Sequence, residues 1–319
     1  MANFEETCLL GPTGVGLRAQ LDAEVILGNA AAQLRRAELR MVQRDPEAAI
    51  EDVLEAGRSL QADRARGPAA ELLAARLLNR TLRHDAASAV LAHARVKAGR
   101  GGPRTRLALA MAEAEILIDR KDLVAARTAY LRALPLTTHV AVAHERLSCL
   151  LALATISQME GDPDGAMPPL GQALALSREH NDAPARAECA FALGNLHLRR
   201  NEADPSRQLL EEALATGALA SAMAPVALSF LARIAINVGD HDAALRHAIE
   251  AAKAAAAAGN AGGFADGTML AALAQERSGL RTAAQKTLAA GERVLRERGE
   301  ASFADMVLAE IQRMDSATS

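Results

Sequence analysis

A pattern typical of two short helices recurs along this chain about every 40 residues, and it limits the possible folds more than any other feature. The clearest copy lies in residues 187–214, where apolar side chains at helical spacing flank a polar turn at Asn201. Asn tolerates the left-handed conformation that closes a helix. Asp204 and Pro205 are typical of the start of the second helix. One such pair cannot bury its apolar faces alone, so it needs neighbours of the same kind.

Turns equivalent to Asn201 recur at spacings of 37 to 40 residues. Their positions are Arg44, His84, Lys121, Gly161, Asn201, Gly239 and Gly279. In most copies a small residue stands seven positions before the turn, five after it and twelve after it, as Gly194, Ser206 and Ala213 do around Asn201. Small residues at these positions let helices pack at short distance.

Composition supports an all-α chain. Aromatic residues make up only 2% of the sequence, and alanine, the best helix former, is the most frequent residue. The net charge of −3 argues against nucleic acid as a partner. The three cysteines, Cys8, Cys149 and Cys189, are far apart and have no zinc-site or disulfide spacing, which favours free thiols in a reducing compartment. No signal peptide or membrane-spanning run is evident, so we expect a cytoplasmic protein that does not enter the membrane.

The repeats indicate the domain organisation. Residues 1–20 fit no repeat, residues 21–298 form the repeat region of about seven units, residues 299–314 form a capping helix, and residues 315–319 are expected to be a disordered tail. Pro168 and Pro169 should delay the start of one second helix to about Met167, because proline breaks a helix interior.

The pattern resembles the tetratricopeptide repeat, on the evidence of Leu193-Gly194-Asn195, of Val238-Gly239-Asp240 with Ala244, and of Tyr130 in a second helix. The 40-residue period resembles the longer-helix variety found in kinesin light chains, in LGN-type adaptors and in the sensor regions of maltose-regulator-type activators. The resemblance covers about residues 21–298. It implies an all-α fold, a right-handed α-solenoid of about seven helix-turn-helix units with a C-terminal capping helix.

No segment carries a recognisable catalytic or metal-binding signature. The GPTGVG run at residues 11–16 lacks the GK[ST] of a phosphate-binding loop. The histidines at 139, 144, 241 and 247 are not spaced as metal ligands, and no nucleophile stands in a known local motif. We therefore expect no enzyme activity, no cofactor and no metal.

The candidate site follows from the resemblance, which implies that first helices line a concave groove and that residues six, three and two before each turn point into it. One inward set combines two amides and two guanidinium groups from adjacent units: Asn195, Arg199, Arg233 and Asn237. Amides can hydrogen-bond a peptide backbone, and arginine forks suit a carboxylate. The resemblance assigns main-chain binding to Asn195 only. Glu115 and Asp119 give an earlier part of the groove the opposite charge, which could orient a bound segment.

Three functions remain open on the sequence. The first is an adaptor that binds a partner protein or peptide in its groove. The second is a ligand or peptide sensor that acts in trans, and the third is a structural subunit that self-associates into a homo-oligomer.

Overall fold

A computed structural model describes residues 45–59, 83–98, 103–140 and 143–316 as continuous stretches, together with positions 33, 36, 37, 40, 71, 72, 74–76, 78 and 79. The described residues do not include residues 1–20, among them Cys8, or residues 317–319. Every regular element in the described stretches is an α-helix. The chain divides into two compact units, residues 1–172 and 173–319, with the boundary inside one helix. The two units are described separately below.

The first unit contains a succession of helices joined by tight turns. They are α1 (Pro46–Ser59), α2 (His84–Ala98), α3 (Pro103–Asp119), α4 (Leu123–Val140), α5 (Ala143–Met159) and the first part of α6 (Pro163–Glu179). Helical positions between 33 and 40 precede α1, and others between 71 and 79 precede α2. The helix α3 packs against α2 through Leu109 and Ile116, and against α4 through Met111 and Ala114.

The second unit contains three helix pairs and a final helix. The pairs are α7 (Ala183–Arg199) with α8 (Ala203–Ala215), α9 (Ala224–Val238) with α10 (His241–Ala257), and α11 (Ala261–Arg277) with α12 (Arg281–Glu297). The last helix, α13 (Ala301–Ser316), packs against α11 and α12 and buries Ala304, Val307 and Met314. It covers the apolar face that α12 would otherwise expose, as a capping helix must.

Five of the seven predicted turn positions have the backbone conformation that a tight helix-helix turn requires. Lys121, Gly161, Asn201, Gly239 and Gly279 all have positive φ, from 60° to 82°. Hydrogen bonds from the following residue back to the preceding helix close each turn, for example from the Glu202 amide to the His197 carbonyl at 2.9 Å. The five turns therefore confirm the periodicity read from these positions.

The small residues at fixed offsets are buried, as the sequence predicts. The column five positions after the turn is fully buried at Ala49, Ala126, Ala166, Ser206, Ala244 and Ala284. Within the 187–214 pair, Gly194 and Ala213 are buried as well. These positions lie where two helices approach most closely, and larger side chains would push the helices apart.

The predicted register is wrong for the pair that contains α2. Every other second helix begins two residues after its turn, but α2 already begins at His84 itself. The turn position therefore corresponds to residue 82, which lies outside the described residues. In the corrected register Ala87 and Ala94 occupy the small-residue positions and are fully buried, whereas Ala89 is exposed. The sequence misled because Asp85 resembles a capping residue but lies in the first turn of the helix, where acidic side chains are also favourable.

Two other helix starts differ from prediction. The helix α6 begins at Pro163 and not near Met167, with Pro168 and Pro169 inside it. The backbone N–H groups that these prolines lack would have bonded only the carbonyls of Asp164 and Gly165 in the first turn, so the rest of the helix keeps its hydrogen bonds. At the Asn201 turn, Glu202 and not Asp204 is the capping residue, so Pro205 is the third helical residue.

The final helix spans 301–316 rather than the predicted 299–314. Gly299 has φ 78° and belongs to the preceding turn. Asp315, expected in the disordered tail, is helical and accepts a 2.8 Å hydrogen bond from Gln285 of α12. Among the described residues, no helix has the length and apolarity needed to cross a membrane.

Candidate functional site

An aromatic stack joins the two neighbouring first helices α7 and α9 in the second unit. The rings of Phe191 and Phe230 are nearly parallel, at an interplanar angle of 14°, with centroids 6.3 Å apart. This separation lies in the range of favourable aromatic pairs. Both side chains are half-buried. The stack therefore fixes which faces of α7 and α9 lie side by side.

Four predicted site residues continue these two faces toward the ends of the helices. Asn195 follows Phe191 by one helical turn, and Arg233 follows Phe230 by about one turn. Arg199 and Asn237 each follow one turn later. First helices of successive antiparallel pairs run in the same direction, so we infer from the aromatic stack and the helical spacing that these four residues lie at neighbouring positions beside the stack. We call this surface the α7–α9 face, defined by Asn195, Arg199, Arg233, Asn237 and the two Phe rings.

Arg233 is already engaged on this face. Its Nη2 atom donates to Asp266 Oδ1 of α11 at 2.6 Å, and the Arg233 side chain stays 53% exposed. The ion pair links the first helices of two successive pairs. It also partly neutralises the guanidinium that the sequence assigns to a ligand carboxylate.

The other three predicted residues make no side-chain hydrogen bond or ion pair with any described residue. Asn195 is half-buried, and Arg199 and Asn237 are exposed. The Asn195 amide is not among the buried polar atoms that lack a partner, so solvent reaches it and a ligand can displace that solvent. Arg199 is thus the unpaired guanidinium of the face, with Asn195 one turn before it.

Glu115 and Asp119 belong to the first unit, where both are paired with the preceding helical positions. Arg76 Nη2 donates to Glu115 Oε1 at 2.9 Å, and the Asn79 amide donates to Asp119. Arg76 and Asn79 are buried. In the corrected register, with the turn at residue 82, Arg76 and Asn79 lie six and three positions before the turn and are therefore inward residues. The two acids therefore tie successive first helices together, as Asp266 does in the second unit.

Glu115 also acts on a buried phenol. Burial raises the pKa of Tyr130, and the nearby negative charge of Glu115 raises it further. Tyr130 is packed in the core between α3 and α4, so it stays neutral and serves packing.

Sequence reasoning missed Phe191, Phe230 and Asp266. All three lie on the same helical faces as the predicted residues, one or two turns earlier. Asp266 stands 13 positions before the turn at Gly279. It therefore lies seven positions, or two helical turns, before Leu273, which is an inward residue of the same helix. A search for the i, i+7 periodicity of each face would have found them.

The described cysteines are buried and free. Burial, and to a lesser extent Glu145 near Cys149 and Glu188 near Cys189, raises the pKa of both thiols to about 12. Among the described residues, no group of three or more His, Cys, Asp or Glu side chains is placed to hold a metal ion.

Solved structures show the same architecture. The chain aligns over 88% of its length, with a TM-score of 0.70 and 13% identity, with a signal-transduction ATPase with numerous domains from Pyrococcus horikoshii that contains a tetratricopeptide-repeat sensor. The chain has the tetratricopeptide-repeat fold. It spans only 44% of that protein's length.

Two further tetratricopeptide-like neighbours align at similarly low identity. The apo form of RapI matches with a TM-score of 0.66 and 12% identity, over 87% of this chain and 79% of that one. The apo form of the quorum sensor NprR from B. thuringiensis matches with a TM-score of 0.52 and 13% identity, over 87% of this chain and 80% of that one. No protein-family model matches the sequence, and no curated protein does. At these identities the likeness concerns the fold alone.

Proposed function

We propose that this tetratricopeptide-repeat chain is an interaction module that binds an extended peptide segment of a partner protein on the α7–α9 face. The observation that carries the proposal is the set of unengaged polar groups beside the aromatic stack. Asn195, Arg199 and Asn237 have no side-chain partner among the described residues, although they share one continuous face with Phe191 and Phe230.

Each group has a distinct role in this proposal. The amides of Asn195 and Asn237 each offer a donor and an acceptor, which suits the alternating N–H and C=O groups of a peptide main chain. Arg199 supplies a forked donor for a side-chain or terminal carboxylate. The stacked rings of Phe191 and Phe230 offer an apolar surface for one ligand side chain.

Arg233 has a supporting role. Because its guanidinium donates to Asp266 at 2.6 Å, it holds the face of α9 against α11 and adds less positive charge than Arg199 does. The preferred ligand therefore carries one carboxylate near Arg199 and not two. The two neighbours whose descriptions name a sensor support a ligand-binding use of the fold, here transferred to this chain only as a proposal.

A display library of random peptides, selected on the full chain, tests the proposal. We expect selected peptides to share an acidic residue, and their affinity to fall at least tenfold for Arg199→Glu and several-fold for Asn195→Ala. Arg246→Glu on α10 is the matched control, because Arg246 is exposed and belongs to a second helix. Selected peptides that bind Arg199→Glu as well as the native chain would disprove the proposal.

The second candidate is a sensor of a small molecule that acts in trans, favoured by the half-buried and unpartnered amide of Asn195. A metabolite that binds the native state raises the melting temperature. A thermal-shift screen that finds such a metabolite, with the shift abolished in Asn195→Ala, would favour this candidate over peptide binding.

A further inference from the structure

The outward side of α4 carries no charge, whereas the outward side of every other second helix carries at least one. Equivalent outward positions are the second, sixth, ninth and thirteenth of each helix, and in α4 they are Val124, Thr128, Leu131 and Pro135. All four are exposed, with Val124 at 73% and Leu131 at 55%. In α10 the same positions hold Asp242, Arg246, Ile249 and Lys253. A solvated helix face normally looks like that of α10.

The outward side of α2 continues the apolar character in the same unit. After Asp85, its equivalent positions are Ala89, Ala92 and Val96, all exposed, and Val96 is 81% exposed. The helix α3 lies between α2 and α4 and packs on both. We call the outward sides of α2 and α4, with the strip of α3 between them, the α2–α4 face.

A pocket of about 230 Å³ opens between α2 and α3. Leu91, Leu109 and Ile116 give it an apolar lining, and Arg95 and Glu113 contribute its charged groups. This volume is below the roughly 300–1,000 Å³ of sites for drug-sized molecules, so the pocket suits a single apolar side chain better than a free metabolite.

The charges around the apolar stripe are mostly basic. The helix α4 contains no acidic residue, and α2 contains only Asp85. Glu113 of α3 lies between two arginines, at 3.5 Å from Arg95 and 4.0 Å from Arg132. Both arginine side chains remain more than 60% exposed. The single carboxylate of Glu113 therefore faces two positive charges, and this part of the surface keeps a net positive charge.

We propose that the α2–α4 face docks an amphipathic α-helix of a partner protein, with an apolar stripe flanked by acidic residues. The stripe covers Val124 and Leu131, one apolar anchor enters the pocket between α2 and α3, and the acidic flanks meet Arg95 and Arg132. This is the helix-in-groove mode, in which anchors at i, i+3, i+4 and i+7 supply affinity and charge supplies selectivity. A second copy of this chain is the poorer occupant, because pairing α4 with α4 would bring Arg132 of each copy together, and α4 has no acidic residue to face them.

A display library tests this proposal on the full chain. Each clone is a helix with a fixed leucine stripe and random polar residues at the flanks. We expect selection to enrich Asp and Glu at the flanks. The affinity of selected clones should fall at least tenfold for Leu131→Asp and for Val124→Asp, which serves as a second variant if the first is poorly folded. Ile249→Asp is the matched control, because Ile249 occupies the same helical position in α10 and is 40% exposed; it should change affinity less than twofold.

The charge requirement has its own test. Replacing Arg95 and Arg132 together by Ala should weaken acidic clones at least fivefold and leave clones with alanine flanks unchanged. The proposal is overturned if no clone is enriched, if the enriched flanks are basic, or if binding survives both Leu131→Asp and Val124→Asp. It is also overturned if light scattering shows a dimer that Leu131→Asp dissociates, because the occupant is then a second copy. Arg199→Glu should not affect these clones, so this result is separable from peptide binding on the α7–α9 face.

Discussion

The hydroxyl of Ser206 donates a hydrogen bond to the backbone carbonyl of Gly194 at 2.8 Å and so joins α8 to α7. Both residues are buried. The contact explains why a glycine stands in the middle of a helix, where it costs about 1 kcal/mol relative to alanine. With no Cβ on Gly194, the helices come close enough for the short serine side chain to reach the carbonyl.

Gly194→Ala should therefore destabilise the protein despite the gain in helix propensity. A Cβ at this position would lie 2.9 Å from Leu210 Cγ, which forces Leu210 or α8 to move. Overpacking of this kind costs about 1–3 kcal/mol and the gain in helix propensity offsets about 1 kcal/mol, so we expect a net loss of up to about 2 kcal/mol in the free energy of unfolding. Chemical denaturation monitored by circular dichroism measures it. Gly171→Ala in α6 is the control: an added Cβ would meet no atom within 4 Å apart from the neighbouring backbone of its own helix, so the change should be neutral or slightly stabilising. Equal losses in both variants would refute the steric explanation.

Gly267→Ala should be more damaging than Gly194→Ala. Its Cβ would meet the backbone nitrogen of Ala252 at 2.6 Å, and backbone yields less readily than the end of a leucine side chain. The alanine-rich segment of α10 thus serves close packing against α11. We expect a loss of about 3 kcal/mol or more, measured by the same denaturation experiment. If Gly267→Ala proves milder than Gly194→Ala, α10 and α11 must be able to separate without loss.

The helix pairs could be predicted from sequence because the turn signal and the packing signal coincide. Gly161, Gly239 and Gly279 mark left-handed turns that few other residues tolerate, and small residues at fixed offsets mark helix contacts. At the pair that contains α2, the turn has no glycine and the register slipped. At α2 a plausible capping residue, Asp85, outweighed the burial pattern of Ala87 and Ala94.

The candidate site could be predicted only in part. Periodicity identifies which residues share a face, and it placed Asn195, Arg199, Arg233 and Asn237 on adjacent helices. It does not reveal which charges are already paired, because pairs such as Arg233 with Asp266 join positions 33 residues apart through the packing of separate helices. The same holds for Arg76 and Glu115, at a separation of 39 residues.

The corrected register of α2 makes a direct prediction. Ala87→Leu should destabilise the protein, because Ala87 is fully buried and a larger side chain has no space there. Ala89→Leu should cost less than about 0.5 kcal/mol, since Ala89 is exposed and leucine is a good helix former. Thermal melts of the two variants, compared with the native chain, decide between the registers. If Ala89→Leu is the more damaging change, the register read from the sequence alone is the right one.

The stability of the second unit should depend on pH through Glu212. The carboxylate of Glu212 accepts hydrogen bonds from Arg178 and from Arg186, the latter at 2.6 Å. It thereby joins α7 and α8 to the last part of α6, residues 173–179, which belongs to the second unit. The hydrogen bond from Arg178 is the main reason that the pKa of Glu212 is lowered, and the bond from Arg186 lowers it further. A lowered pKa in the folded state means that the stabilisation is fully present above the unfolded-state pKa of about 4.3. It is lost as the pH falls through the lower pKa of the folded state.

We therefore expect Glu212→Gln to be less stable than the native chain at pH 7, by about 0.5–1.5 kcal/mol, because both arginines are about half exposed and the pairs are screened by solvent. The difference should shrink as the pH falls below about 4.3. Denaturant unfolding from pH 7 to pH 3 measures it. Glu211→Gln is the matched control, because Glu211 is the exposed neighbour of Glu212 and makes no side-chain hydrogen bond or ion pair with the described residues; it should stay within about 0.5 kcal/mol of the native chain throughout. A stability difference for Glu212→Gln that does not change with pH would mean that the two arginines stabilise the helices by packing and not by charge.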